Sequence, residues 1–324
     1  MNKAKNKAKN NRKPTVATLM STYNGQAFIR EQLDSIFNQE AVEVTLFVRD
    51  DGSKDDTLRI LREYQGTHKL CLLPFDGNVR PGMSFMKLLY YVINLEERFD
   101  YYAFADQDDI WFSDKLIRAI SMIEEEEKRG LKNILYCSNQ WLYENKQKTR
   151  LRFDKIPDTS LVGHISKNDF SGCTMVFAYD LAKLTVSIPC PGNDILTYRM
   201  HDAWMALIAS AFGKIFYDGE SRILYRIHQD NTVGIKKTGI KDRIDAVLGK
   251  GSKPKYRHIR SKSAALLLKI KAPISPRNQA LLKDVAYYRR NVKYKIHLLK
   301  RQDIYLKSGE SKGIFALKVL LNII

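Results

Sequence analysis

The sequence predicts an α/β protein with a mostly parallel central sheet. A disordered basic arm (residues 1–13) precedes the main domain (14–235), and a basic helical region (236–324) follows it. Three observations carry this prediction. Short β-prone runs alternate with helix-periodic segments, acidic clusters close two of those runs, and the composition turns basic beyond Gly234. Strands alternating with helices of this length imply βαβ units and parallel pairing.

Taken in order, Thr15–Ser21 is short, apolar and β-prone, and Tyr23-Asn24-Gly25 supplies a turn. Phe28–Gln39 carries Ile29, Leu33, Ile36 and Phe37 at helical spacing. Val42–Val48 is a β-branched and aromatic strand that runs into Asp50-Asp51-Gly52-Ser53. Ser53 or Asp55 caps a helix through Leu58, Ile60, Leu61 and Tyr64. Lys69–Leu73 is a third strand, Ser84–Leu95 a helix and Tyr101–Ala105 a fourth strand. Asp114 then opens a helix through Leu116, Ile117, Ile120 and Ile123. Further on, Ile134–Tyr136, Met175–Ala178 and Ile223–Tyr225 read as strands and His201–Ala211 as a helix. Beyond Gly234, Leu281, Val285, Tyr288, Val292, Ile296 and Leu299 recur every three or four positions. That spacing predicts one amphipathic helix with a basic opposite face.

The formal charge of +18 is concentrated in the C-terminal region. Residues 236–324 hold 23 Lys and Arg against 5 Asp and Glu, and residues 14–235 net −6. Such a segment can meet nucleic acid, anionic lipid or an anionic substrate. No nucleic-acid motif interrupts the Lys/Arg distribution, so no nucleic-acid partner is expected, although a nucleic-acid binder is the alternative class. Cys71, Cys137, Cys173 and Cys190 form no C-x-x-C pair and point to a reduced, cytoplasmic setting. The arm lacks the apolar core of a signal peptide. No window reaches 18 uncharged apolar residues, and Ile314–Ile324 is too short to span a bilayer.

In open α/β sheets ligands sit beyond the carboxyl ends of the strands. Asp50-Asp51 and Asp106-Gln107-Asp108-Asp109 both fall there. Ionised carboxylates at the edge of a core are costly unless a cation neutralises them. A divalent ion carrying a diphosphate is one such cation. For Asp50-Asp51 the ordinary reading is a capping turn, and the alternative is a hydrogen bond to a base or ribose. Asp202, beside His201 at a helix start, is either a cap or a general base. His228 is either a surface imidazole or a metal or phosphate ligand. Arg222 and Arg226 suit either ion pairs or diphosphate oxygens. Trp111 and Trp204 read as packing residues.

Five stretches in this order resemble glycosyltransferase family 2, in its bacterial rhamnosyltransferase-like branch. They are Ser21–Gly25, Arg49–Ser53 with Asp55 and Thr57, Ala105–Trp111, His201–Trp204 and Tyr225–Gly234, and they cover roughly residues 15–235. The resemblance implies a GT-A fold, Mg²⁺ or Mn²⁺ as cofactor, and inverting transfer from a nucleotide-diphosphate sugar. The expected donor is dTDP-rhamnose, and the expected acceptor a cell-surface or lipid-linked glycan. By motif, Thr22, Tyr23 and Asn24 line the donor pocket, and Asp50 or Asp51 contacts the base or ribose. Asp106 and Asp108 form a D-x-D pair with Asp108 the direct ligand, His228 joins the metal, and Arg226 faces the donor. Asp202 is the base, in a pair that here reads His201-Asp202, while Asp109 is structural or acceptor-side. The processive Q-x-x-R-W signature is missing, which implies transfer of one or a few sugars. The alternative within the family is a catalytically silent partner subunit. The basic C-terminal region is expected to lie on the inner membrane surface, to pack on the body or to form a homo-oligomer contact.

Overall fold

A computed structural model describes residues 12–228, 258–304 and 311–322. Most of the basic arm and the stretch Gln229–Gly234 lie outside the described residues. In chain order the first half comprises β1 (Thr15–Thr22), α1 (Ile29–Phe37), β2 (Glu43–Asp50), α2 (Thr57–Gln65), β3 (Leu70–Leu72), α3 (Pro81–Ile93), β4 (Tyr101–Ala105), β5 (Ile110–Trp111) and α4 (Lys115–Lys128). There follow β6 (Ile134–Glu144), β7 (Gln147–Leu151), α5 (Leu161–Ser166), β8 (Val176–Ala178), α6 (Tyr179–Thr185), α7 (Asn193–Phe212) and β9 (Lys214–Arg226). The C-terminal helices are α8 (Ile259–Leu267), α9 (Pro276–Tyr287), α10 (Val292–Lys300) and α11 (Lys312–Leu320).

The sheet runs β3-β2-β1-β4-β8-β6-β9-β5, with β7 on β6. The βαβ half, β3-β2-β1-β4, is parallel, as the alternation of elements predicts. Beyond it β8 runs antiparallel to β4 and β6, and β5 antiparallel to β9. The result is the mixed α/β sheet of a GT-A fold. Strand alternation divides the core between the two faces. Val16 and Met20 with Tyr101, Ala103 and Ala105 pack toward α1, α2 and α4. Ala17 and Leu19 with Tyr102 and Phe104 pack toward α3 and α7.

Four elements are longer or more divided than expected. The runs at Ile134–Tyr136 and Ile223–Tyr225 extend into an 11- and a 13-residue strand that pair in parallel, so polar residues such as Ser138 and Asp218 lie within the ladder. The predicted helix at His201 is the second half of α7, set off by Met200 at φ 61°, ψ 171°. The continuous C-terminal helix is a correction. It breaks after Tyr287, and Asn291 starts α10 by accepting the Lys293 N–H at 2.9 Å. Leu281, Val285 and Tyr288 enter the main core, whereas Val292 is 72% exposed. The break changes which face of the chain is inward, so the apolar stripe does not continue across it. No helix among the described residues is long and apolar enough to cross a membrane.

Helix α3 meets α7 at Gly82, where an added Cβ would lie 2.4 Å from the Leu196 carbonyl oxygen and 3.3 Å from Met200 Cα. Gly82→Ala is therefore expected to destabilise the fold by about 1–3 kcal/mol through overpacking. Gly219→Ala, whose Cβ would meet open space, should leave urea unfolding nearly unchanged.

Candidate functional site

The register Thr22↔Asp50 and Met20↔Ala105 sets the ends of β2, β1 and β4 side by side. The two acidic clusters therefore share one edge of the sheet. Asp50 Oδ1 accepts from the N–H groups of Gly52 and Ser53 at 3.0 and 2.7 Å. Its Oδ2 accepts from Thr22 Oγ1 at 2.8 Å and Ser53 Oγ at 2.6 Å. Asp51 pairs with buried Arg49 and accepts from the N–H groups of Val79 and Arg80 at 3.1 and 2.7 Å. In this placement both carboxylates hold loops in shape. Asn24 does similar work, with its Oδ1 accepting from Lys54 N–H at 2.9 Å. The exposed rings of Tyr23 and Phe75 lie beside this turn; Phe75 is within 3.2 Å of where a Cβ on Gly52 would be.

The second cluster is built across a long sequence separation. Strand β5 pairs with the end of β9 through Ile110↔Leu224 and Trp111↔Ile223. That pairing brings residues 226–228 over the 106–109 turn. Arg226 N–H donates to Asp109 Oδ1 at 3.1 Å, and its Nε donates to the Asp108 carbonyl at 2.8 Å. The guanidinium also pairs with Glu31 and lies over Phe28 and Tyr143, so Arg226 clamps the turn. Arg222 pairs with Asp114 at 2.9 Å instead. His228 Nε2 lies 2.7 Å from Asp108 Oδ2. Gln107, between the acidic residues, accepts from Tyr23 N–H at 2.9 Å and donates to the Tyr23 carbonyl at 3.1 Å, tying the two turns together.

One group of candidate ligand atoms converges among the described residues. Asp106, Asp109 and Cys173 offer atoms within 4.8 Å of one another. Asp109 is fully buried, and burial pushes both the Asp109 carboxyl and the Cys173 thiol well up, so these two are suited to holding protons. Lys115 lies beneath it with Nζ 3.6 Å over the Trp111 ring, and burial lowers its pKa to about 7. Asp106 also faces outward and is raised by burial, then by Asp108 and Asp202. With Asp108 and His228, partly buried and in contact, it offers carboxylate and imidazole donors of the kind Mg²⁺ or Mn²⁺ accepts. On donor chemistry the Asp106–Asp108–His228 set fits a hard divalent ion, and the buried thiol set fits it poorly.

Asp202 stands in the first turn after the Met200 break and accepts from Ala203 N–H at 2.6 Å. One side of it opens on a cavity of about 330 Å³. Packing on its other sides raises its pKa to about 7. Its neighbour His201 turns the other way, stacked on Phe85 at 3.8 Å and edge-on to Phe104 at 4.8 Å. Neither ring nitrogen of His201 has a partner among the described residues, and burial lowers its pKa to about 3. His201 is thus a packing residue that seats Asp202. Motif reading did not assign roles to Gln107, Glu31, Cys173 or the cavity's arginines. Only Gln107 carried a signal, its place inside the acidic stretch.

Paired carboxylate turns at one edge of a GT-A sheet, with a further carboxylate on a nearby cavity, define a nucleotide-sugar transferase. The profile of glycosyl transferase family 2 matches residues 18–184, and the chain belongs to that family of enzymes. It is 32% identical over 226 residues to the dTDP-rhamnosyl transferase RfbG of Shigella flexneri, across 66% of this chain and 73% of the relative. It is 25% identical over 226 residues to an uncharacterized glycosyltransferase of Rickettsia typhi, across 68% of this chain and 66% of that one. Among solved structures, S. aureus TarS 1–349 in complex with UDP-GlcNAc aligns with a TM-score of 0.57 at 15% identity, covering 91% of this chain and 78% of that one. At that identity the likeness supports the fold.

The buried histidine generates a stability prediction. His201 has a folded pKa of about 3, below the unfolded value near 6.5, so the unfolded state binds the proton more readily. The stability contribution is present above pH 6.5 and is lost as pH falls toward 3. At pH 5 the loss is about 2 kcal/mol relative to pH 7.5. Urea unfolding of His201→Phe should show a correspondingly shallower pH dependence.

Proposed function

We propose that the chain is a metal-dependent, inverting glycosyltransferase that moves rhamnose from dTDP-rhamnose to a hydroxyl of a cell-surface or lipid-linked glycan. The carrying observation is Asp202, a carboxylate at a helix start on an open cavity, near enough to Asp106 for their charges to interact. The similarity to RfbG supports the donor. Thr22, Tyr23 and Asn24 form the donor side, which Asp50 and Asp51 shape through their hydrogen bonds. Asp106, Asp108 and His228 would hold Mg²⁺ or Mn²⁺, and Arg226 keeps their turn in place. When bound, the metal neutralises charge on the departing diphosphate.

Asp202 takes the proton of the acceptor hydroxyl as its oxygen attacks the anomeric carbon. The bond from that carbon to the phosphate oxygen breaks, and its electron pair leaves with the nucleoside diphosphate. The new bond forms on the face opposite the leaving group, so the configuration inverts and no protein nucleophile is required.

With metal and a panel of nucleotide sugars, release of nucleoside diphosphate should be fastest from dTDP-rhamnose; preference for another donor would overturn that assignment. Asp202→Asn should lower kcat/KM by about 10²–10⁴-fold. Because the ionised carboxylate is the active form, wild-type kcat/KM should fall about tenfold per unit below pH 7, and this limb should vanish in the variant.

Attachment at the inner face of an anionic membrane belongs to the same proposal. Exposed Leu317 and Leu320 of α11, Leu321 just after it, and Val292 and Ile296 of α10 alternate in sequence with Lys293, Lys295, Lys312 and Lys318. Such a face suits an anionic leaflet, at about 1 kcal/mol per nearby cation. Flotation with phosphatidylglycerol vesicles should retain the wild type and release a Leu317→Ser/Leu320→Ser/Leu321→Ser variant. Equal flotation of the two would end this assignment.

A further inference from the structure

The cavity on which Asp202 opens has an unusual charge lining. Arg152, Lys167, Arg199 and Arg260 contribute cations, and Asp202 is the sole carboxylate among the lining residues. Lys167 is already paired, with Asp169 at 2.7 Å. Arg199 has no carboxylate partner among the described residues; Arg152 makes no direct ion pair, though its charge reaches Asp202 and favours the ionised carboxylate. Arg152 donates from Nη1 to Gln140 Oε1 at 2.7 Å, a neutral acceptor. Arg199 is 8% exposed and donates to the carbonyls of His164 and Ile165 at 3.1 and 2.8 Å, at the end of α5. Its buried Nε has no partner among the described residues. Arg260 donates to the Ser166 carbonyl at 3.0 Å in the same wall.

A buried guanidinium without a counter-charge is unfavourable, and an orphaned buried N–H adds to the penalty. Arg199 is such a group, and its place in one lining with the half-buried Arg152 makes sense where a ligand supplies the charge. Guanidinium matches the oxygen geometry of phosphate and carboxylate, in contacts stronger than neutral ones. At the same cavity Tyr198 is 57% exposed, a ring face of the kind on which a sugar can lie. Asp202 completes the lining, as the group that takes the hydroxyl proton.

We propose that this cavity receives the acceptor, and that the acceptor bears an anionic group, phosphate or carboxylate, close to the hydroxyl presented to Asp202. The anion lies against Arg152 and Arg199, the sugar ring lies by Tyr198, and the hydroxyl points toward Asp202. The proposal rests on the glycosyltransfer reading and adds to it the chemical class of the acceptor. It selects a phosphodiester-, diphosphate- or uronate-containing glycan over a neutral one.

The test is calorimetric titration of the full-length protein at fixed ionic strength, without metal and with the donor side saturated by dTDP. The probes are inorganic phosphate, methyl glucuronide and methyl glucoside. Binding of phosphate or glucuronide, at least tenfold tighter than glucoside, is expected. Phosphate alone would mark a phosphate-bearing acceptor, glucuronide alone a uronate, and both a site that reads charge only. Arg152→Gln should weaken the charged probe by tenfold or more. Arg199→Lys, which keeps the charge and loses the fork, should weaken it less and serves if Arg152→Gln fails to fold. Equal binding of neutral and charged probes, no binding of either charged probe, or binding unchanged in both variants would overturn the proposal. Wild-type hydrolysis of dTDP-rhamnose by water, with metal and without acceptor, reads the donor assignment separately. Its failure with intact anion binding would remove the donor and leave the pocket.

Discussion

The contact between α3 and α7 is the constraint on which the site's geometry depends. Gly82 lies against the Leu196 carbonyl and Met200 Cα, where a longer helix would otherwise pass straight through. Met200 takes a positive φ, of a kind that costs on the order of 1–3 kcal/mol outside glycine and persists only where surrounding packing over-determines it. The helix restarts at His201. His201 is gripped between Phe85 of α3 and Phe104 of β4, and that grip turns the next residue, Asp202, toward the cavity. Gly172 completes the seat, since a Cβ there would come within 2.4 Å of His201 Nε2.

The acidic residues at the sheet edge divide by what satisfies them. Asp50 and Asp51 are buried and saturated by hydrogen bonds from their own neighbourhood, so they act as loop architecture. Asp109 is buried with Cys173 and favours its protonated form. Asp106 and Asp108 keep a face toward solvent, and Asp108 meets an imidazole. Charge that the fold does not neutralise internally is left at the place where a cation and a diphosphate can meet it. The cavity shows the opposite imbalance, with guanidinium groups exceeding carboxylates. Asp202 belongs to the cavity lining and also interacts with Asp106.

The basic C-terminal region has two roles that composition alone could not separate. Leu281, Leu282, Val285 and Tyr288 join the same core as Phe85 and Trp204, so α9 is part of the body. Arg260 of α8 reaches the wall of the cavity. Exposed apolar residues come later, Val292 and Ile296 on α10 and Leu317 and Leu320 on α11, after Tyr287 at the end of α9.

What the sequence by itself determined was the alternation of strands and helices through residue 128 apart from the short β5, the placement of both acidic turns at strand ends, and the start of a helix at His201. Those features follow from side-chain periodicity and turn chemistry, which act over a few residues. Tertiary structure alone decided which carboxylates are consumed. The meeting of Asp108 with His228, 120 positions away, depends on β5 pairing with β9, and no local pattern encodes that ladder. The same holds for the cavity, whose Arg152, Arg199 and Arg260 come from three separate parts of the chain. Each is an ordinary surface-type residue in sequence, and only the packing of the turn after β7 against α5, α7 and α8 gathers their charge around Asp202.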